Sequence, residues 1–126
     1  MDTTKPSEFS ISASELATLF ASNAPPLVID VRKNAAYLAS EYTLPNAIRR
    51  DPLEIASWVT ELSKARPVLV YCVYGHEVGL NAMTTLRQHD IEATYLEGGI
   101  ENWRSVGYPI VSKKSNTAKT DNENSA

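Results

Sequence analysis

Pro67-Val68-Leu69-Val70-Tyr71-Cys72-Val73-Tyr74-Gly75-His76-Glu77-Val78 runs from an apolar segment through a short polar loop into a helical pattern. Its first half is a continuous run of branched and aromatic residues, the composition of a strand buried on both faces of a parallel sheet. The second half carries Gly75, the permissive backbone residue that a tight loop needs. From Val78 to Gln88 the spacing predicts a helix with Met83 and Leu86 on one face. Strand, loop and helix in this order put Cys72 at the carboxyl end of a parallel strand, the edge at which ligands of open α/β sheets bind. A loop in that position turns several backbone N–H groups toward one point. With a helix N-terminus beside it, such a nest binds anions and stabilises a thiolate.

The flanking sequence continues the alternation. Ser12-Ala13-Ser14-Glu15 has capping-box spacing, and Leu16, Leu19 and Phe20 follow at helical intervals before the Pro25-Pro26 stop. Leu27-Val28-Ile29-Asp30-Val31 predicts a second buried strand, with a short helix over 34–39 and a brief strand at Ala47-Ile48-Arg49. After Pro52, the residues Ile55, Trp58, Val59 and Leu62 fall at i, i+3, i+4 and i+7 and predict one amphipathic helix. Ala93 to Leu96 predicts another strand, Gly98-Gly99 a turn, and Ile100 to Val106 a last short helix. Strands alternating with helices predict an α/β fold in which a parallel sheet is covered on both faces.

Composition narrows the function classes. The chain has 126 residues, which suits one domain. Twelve basic and fifteen acidic residues leave a net charge of −3, without the clustered cations that phosphate backbones require, so nucleic acid is not the expected partner. No stretch approaches the roughly 18 consecutive apolar residues of a membrane helix. Met1 to Pro6 lacks the basic-then-apolar order of a signal peptide, so a cytoplasmic protein without membrane association is expected. The expected domain covers 7–111, between a loose segment at 1–6 and a disordered tail at 112–126 that lacks aromatic and branched aliphatic residues. Cys72 is the only cysteine, which excludes an intramolecular disulfide and a cysteine-rich zinc site; His76 and His89 are too few to rescue a structural metal site. Cys72 is then either a buried packing thiol or a reactive one.

Five segments carry a resemblance: LVIDVR at 27–32, LPNAI at 44–48, VLVYCVYGHEV at 68–78, LEGGIENW at 96–103, and Gly107-Tyr108-Pro109. In their order and spacing the chain resembles the single-domain rhodaneses, sulfurtransferases of the thiosulfate sulfurtransferase type, from about Phe9 to Ile110. The resemblance implies a three-layer α/β/α fold with a five-stranded parallel sheet. It implies that Cys72 is a nucleophile that takes a sulfane sulfur as a persulfide. Val73, Tyr74, Gly75, His76, Glu77 and Val78 would then form the loop that binds substrate and persulfide. No metal or organic cofactor is implied; the partners are a small sulfur donor and a thiol acceptor, on a small molecule or a protein.

Several positions leave alternatives open. Val73 and Glu77 stand where the family often has basic side chains. A carboxylate at the rim repels dianionic thiosulfate, although solvent screens it, so a less charged persulfide or polysulfide is expected to be the better donor. Only His76 among the loop side chains restores positive charge, and only when protonated. Asp30 and Arg32 end a strand at the same sheet edge, either as a structural ion pair or as support for the loop. Tyr74 lines the mouth or is simply exposed, and Arg49-Arg50 reads as a basic surface pair. A non-catalytic module that docks a partner or senses redox state is the main alternative. Phosphatases and arsenate reductases of Cys-x5-Arg type are disfavoured, because the sixth position after Cys72 is Val78.

Overall fold

The central strands fix the architecture. In a computed structural model, which describes residues 9–75 and 77–113, β2 (Leu27–Asp30) and β5 (Val68–Tyr71) pair in parallel with Leu27 opposite Val68 and Asp30 opposite Tyr71. Their side chains alternate between two cores, as a pleated strand requires. Ile29, Val68 and Val70 join Ile55, Trp58, Met83 and Leu86 on one face, while Val28, Leu69 and Tyr71 join Leu16, Leu96, Ile100 and Trp103 on the other. With both faces covered, nothing in β5 is exposed, which accounts for its unbroken apolar run.

Around this pair stand β1 (Ser10–Ile11), β4 (Ile48–Arg49) and β6 (Ala93–Leu96), giving a five-stranded parallel sheet in the order β1-β6-β5-β2-β4. Helices α1 (Ala13–Phe20) and α5 (Gly99–Ser105) cover one face, and α3 (Ile55–Trp58) and α4 (Glu77–Gln88) the other. Helix α2 (Asn34–Ala39) follows β2 at the carboxyl edge, and β3 (Tyr42–Thr43) pairs antiparallel with β7 (Val111–Ser112). This is the expected three-layer α/β fold. No helix among the described residues is long and apolar enough to cross a membrane.

Local chemistry explains the boundaries. Ser12 closes a full capping box on α1: its hydroxyl accepts from the Glu15 N–H at 3.1 Å, and its own N–H donates to the Glu15 carboxylate at 2.8 Å. Trp103 is fully buried, edge-on to Phe20 at 5.6 Å, and donates its indole N–H to the Pro109 carbonyl at 2.7 Å. That bond satisfies the only polar atom the indole buries.

Three expectations differ from the structure. The single helix expected after Pro52 is a 3-10 turn (Pro52–Glu54), then α3, then a second 3-10 turn (Val59–Glu61), and Leu62 is already extended. Asp51 caps the first turn and takes the Trp58 indole N–H on its carbonyl at 2.8 Å, so the apolar face is kept while the helix stays short. Ser112 belongs to β7 rather than to a tail, because it pairs with Tyr42, and the next N–H, of Lys113, donates to the Glu41 carbonyl at 2.8 Å. β1, β3 and β7 are strands of two residues each that the sequence pattern leaves as loop. The expected segment at 1–6 and the rest of the expected tail, 114–126, lie outside the described residues.

Candidate active site

Cys72 follows the last residue of β5 directly and is 6 % exposed. The chain then turns through Val73, Tyr74 and Gly75 and enters α4 at Glu77. Gly75 has φ +76°, and a Cβ there would lie 2.5 Å from the Gly98 nitrogen, so both conformation and space demand glycine. The start of α5 grips this loop from behind. The Ile100 N–H donates to the Cys72 carbonyl and the Glu101 N–H to the Val73 carbonyl, each at 3.0 Å. Those donors belong to the first turn of a helix, where no intrahelical carbonyl is available to them. The carbonyls of Cys72 and Val73 are thereby held by α5.

The first turn of α4 closes the opposite side. A Cβ built on Gly79 would sit 3.3 Å from Cys72 Sγ, so the helix backbone passes directly against the sulfur. Sequence reasoning passed over Gly79 as part of a helix. The available signal was its cost: glycine inside a helix loses about 1 kcal/mol against alanine and calls for a packing reason.

Cys72 lies in a pocket of about 220 Å³ whose walls include Arg32, Ala36, Val73 and Val78. Tyr74, 61 % exposed, stands at its mouth, as do exposed Lys33 and Glu77. Of the loop residues expected from the sequence, Val73, Tyr74, Glu77 and Val78 line this pocket, and Gly75 shapes the turn. His76 lies outside the described residues. Lys33 and Ala36, which come from the start of α2, were not foreseen; Lys33 adds a cation to the pocket that Glu77 also lines. Among the described residues, no group of three or more His, Cys, Asp and Glu is placed to hold a metal ion.

Beneath the pocket lies a buried polar network. Arg32 Nη2 meets Asp30 Oδ2 at 2.7 Å, with the two side chains 2 % and 0 % exposed, and Arg32 Nε also donates to both carboxylate oxygens. The Arg32 backbone N–H donates to Asp30 Oδ1, and Nη2 donates to the Tyr42 carbonyl at 2.9 Å. Register places Tyr71 beside Asp30, and its hydroxyl donates to Oδ2 at 3.0 Å while accepting the Leu44 N–H at 3.2 Å. Burial works against the Arg32 charge, but the hydrogen bonds and charge of Asp30 outweigh it and the guanidinium pKa is raised. Burial, then the Asp30 charge, push the Tyr71 hydroxyl well above its ordinary range. Asp30 and Arg32 therefore form the structural ion pair, and the same Arg32 walls the Cys72 pocket.

Arg49 is not the free surface charge that the sequence suggests. Its Nη2 donates to the Arg32 carbonyl at 2.8 Å, and its guanidinium stacks 4.9 Å from the Tyr37 ring centre. Arg50 sits 6.0 Å from the Trp58 ring and pairs with Glu61.

Comparison with known proteins agrees with this geometry. Residues 12–106 match the rhodanese-like domain family. A rhodanese-related protein from Thermoplasma volcanium is 26 % identical, with a TM-score of 0.70 over 81 % of this chain and 96 % of that one. A protein from Lactobacillus plantarum is also 26 % identical, with a TM-score of 0.74 over 85 % and 91 % of the two chains. A protein from Rhodopseudomonas palustris described as a possible tyrosine phosphatase shares the fold at 17 % identity, with a TM-score of 0.67 over 88 % and 97 %. No curated protein matches the chain. With the family match spanning both faces of the sheet and the loop after Cys72, the chain belongs to the rhodanese-like domain family.

Proposed function

We propose that this protein is a sulfurtransferase that carries a sulfane sulfur on Cys72. The observation that carries the proposal is the placement of the thiol: at a strand end, inside a small pocket, between a loop anchored by α5 and the first turn of α4. In the first step the Cys72 thiolate attacks the outer sulfur of the donor. A new S–S bond forms, the bond between that sulfur and the rest of the donor breaks, and the donor leaves as sulfite from thiosulfate or as a thiolate from a persulfide. In the second step an acceptor thiolate attacks the outer sulfur of the Cys72 persulfide, and Cys72 departs as thiolate. Both steps are nucleophilic displacements through a covalent intermediate and consume no oxidant. The negative sulfur is stabilised by N–H groups at the start of α4 and by the positive end of its dipole. A reducing cytoplasmic setting suits the cycle, because Cys72 must return to thiolate at every turnover.

A phosphatase-type reaction lacks its clamp here. Val78 occupies the arginine position of a Cys-x5-Arg loop, and the guanidinium that does wall the pocket, Arg32, is committed to Asp30 and the Tyr42 carbonyl.

Mass spectrometry of the protein incubated with thiosulfate, and separately with glutathione persulfide, tests the proposal. Cys72 is expected to gain one sulfur, about 32 Da, which cyanide removes and which Cys72→Ser does not acquire. Absence of the gain with both donors overturns the enzymatic assignment. A Cys72→Ser protein that keeps full biological activity favours a non-catalytic docking module instead.

A further inference from the structure

Helix α2 gives the Cys72 pocket two of its lining residues, Lys33 at the N-cap and Ala36 in the first turn. The helix has little of its own to hold it in place. It is six residues long, none of them fully buried, and Lys33 makes no side-chain capping hydrogen bond. A helix this short is marginal alone and draws its stability from tertiary contacts. Its last turn also lacks a basic side chain to meet the carbonyls exposed there. A pocket wall built on such a helix needs a tether from elsewhere in the chain.

Tyr37, next to Ala36, receives that tether. Three cations meet its ring: Lys113 Nζ lies 4.1 Å from the ring centre, the Arg49 guanidinium 4.9 Å and the Arg32 guanidinium 5.5 Å. Arg32 and Arg49 are fixed at the sheet edge, by Asp30 and by the Arg32 carbonyl respectively. Lys113 arrives from 76 positions along the chain, and its Nζ donates to the Tyr37 carbonyl at 2.7 Å. That bond sets a positive charge at the carboxyl end of α2, where the helix dipole favours it. Backbone pairing places Lys113: β7 pairs with β3, and the Lys113 N–H donates to the Glu41 carbonyl at 2.8 Å. The same β3 offers the Tyr42 carbonyl to Arg32, another wall of the pocket. Strand β7 thus ties the chain that follows α5 to α2.

We propose that Lys113 is a positioning residue for the chemistry at Cys72: held by β7, its ammonium group fixes α2 through Tyr37 and so sets the pocket wall to which Lys33 and Ala36 belong. Lys113 does not line that pocket and acts through the helix. The kinetic consequence rests on the sulfurtransferase assignment, whereas the effect on access to Cys72 stands without it.

Two measurements test the two parts separately. Lys113→Met removes the charge and keeps a flexible side chain of similar length. Cys72 is 6 % exposed, so alkylation by iodoacetamide requires the pocket walls to give way. The limiting rate of the fully ionised thiol, taken from the pH profile, is expected to rise about threefold in Lys113→Met, the scale of a partly exposed cation at a helix end and over a ring. Lys113→Arg is expected to return most of that change. Backbone NMR shifts are expected at Lys33 and Ala36, with Ala82 and Met83 of α4 unmoved. Lys64→Met is the control: it removes a charge paired with Asp90 at the amino edge of the sheet and is expected to change neither readout. In kinetics with thiosulfate, Lys113→Met is expected to raise KM by a similar factor with little change in kcat, because the wall meets the donor while the loop after Cys72 stays in place. An alkylation rate in folded Lys113→Met that equals or falls below the wild-type rate overturns the proposal, as does an equal response to Lys64→Met or a loss confined to kcat. If alkylation and the α2 shifts respond as described while Cys72 accepts no sulfur from either donor, Lys113 keeps its role and the sulfurtransferase assignment falls. If Cys72 loads sulfur while alkylation is indifferent to Lys113→Met, the assignment stands and the role of Lys113 falls.

Discussion

Glu77 is the first residue of α4, exposed, and on the rim of the Cys72 pocket with Lys33. Its carboxylate opposes the entry of dianionic thiosulfate, while Lys33 favours it, so among the described rim residues these two charges offset each other. Replacing Glu77 by arginine changes the rim by two charges in a region that solvent screens over about 8 Å at physiological salt. Glu77→Arg is therefore expected to raise kcat/KM for thiosulfate by about tenfold at low ionic strength, with a smaller change for glutathione persulfide. Steady-state kinetics across a salt series checks this, because an electrostatic gain shrinks as salt is added. A wild-type preference for thiosulfate together with an inert Glu77→Arg would rule out the electrostatic account. Cys72 and Glu77 are both legible in the sequence, since each is defined by its distance from a strand end and a helix start. Lys33 is not, because its relation to the pocket depends on where α2 falls at the sheet edge.

Helix α5 shows which part of an element's work escapes a one-dimensional pattern. Gly98-Gly99 is legible as a turn, but its grip on the loop after Cys72 joins segments that are far apart in the chain. Gly99 has φ +62°, and a Cβ there would lie 2.5 Å from the Cys72 carbonyl oxygen and would also collide with that of Val73. Gly99→Ala combines a left-handed backbone cost of about 1–2 kcal/mol with a steric cost of about 1–3 kcal/mol. The variant is expected to lose about 2–5 kcal/mol of stability and to load sulfur more slowly, since the loop must move to admit the methyl group. Gly107 is the control: its φ is +96°, but a Cβ there meets nothing within 4 Å. Gly107→Ala is expected to cost only the backbone component, about 1–2 kcal/mol, with normal loading of Cys72. Urea denaturation and the persulfide mass measurement on both variants separate the two effects, and equal loading by both would show that α5 does not position the loop. The same limit applies to β1, β3 and β7: two residues cannot display an alternation, so no periodicity marks them. Long buried runs such as Val68 to Tyr71 are legible because burial on both faces imposes one composition.

Across the whole molecule, stability and site are joined through the polar network at the carboxyl edge of the sheet. Asp30, Arg32 and Tyr71 are essentially inaccessible, and Tyr71 ties the Leu44 segment to the strand that presents Cys72. Each buried partner has its hydrogen bonds, so removing one leaves another unsatisfied. The network also sets an alkaline limit. Burial first, and then the Asp30 charge, raise the Tyr71 pKa well above 10.0, the ordinary tyrosine value that it regains in the unfolded chain. The unfolded chain therefore releases this proton at lower pH than the folded protein does. The stabilisation from Tyr71 is fully present below the unfolded value and is lost as pH rises through the folded one, with a slope approaching about 1.4 kcal/mol per pH unit. Lys113 acts in the opposite sense: burial, reinforced by the nearby Arg32 charge, lowers its pKa, so its contribution rises with pH below the ordinary lysine value. Comparing Tyr71→Phe with wild type cancels Lys113 and isolates the hydroxyl. Near neutral pH Tyr71→Phe is expected to cost about 1.5–3 kcal/mol, for the lost bond to a buried carboxylate. Above about pH 10 the wild-type advantage is expected to shrink with each pH unit until the two proteins approach equal stability. Urea denaturation of both proteins between about pH 7 and 11 provides the measurement. Parallel stability curves across that range would show that Tyr71 does not ionise on unfolding.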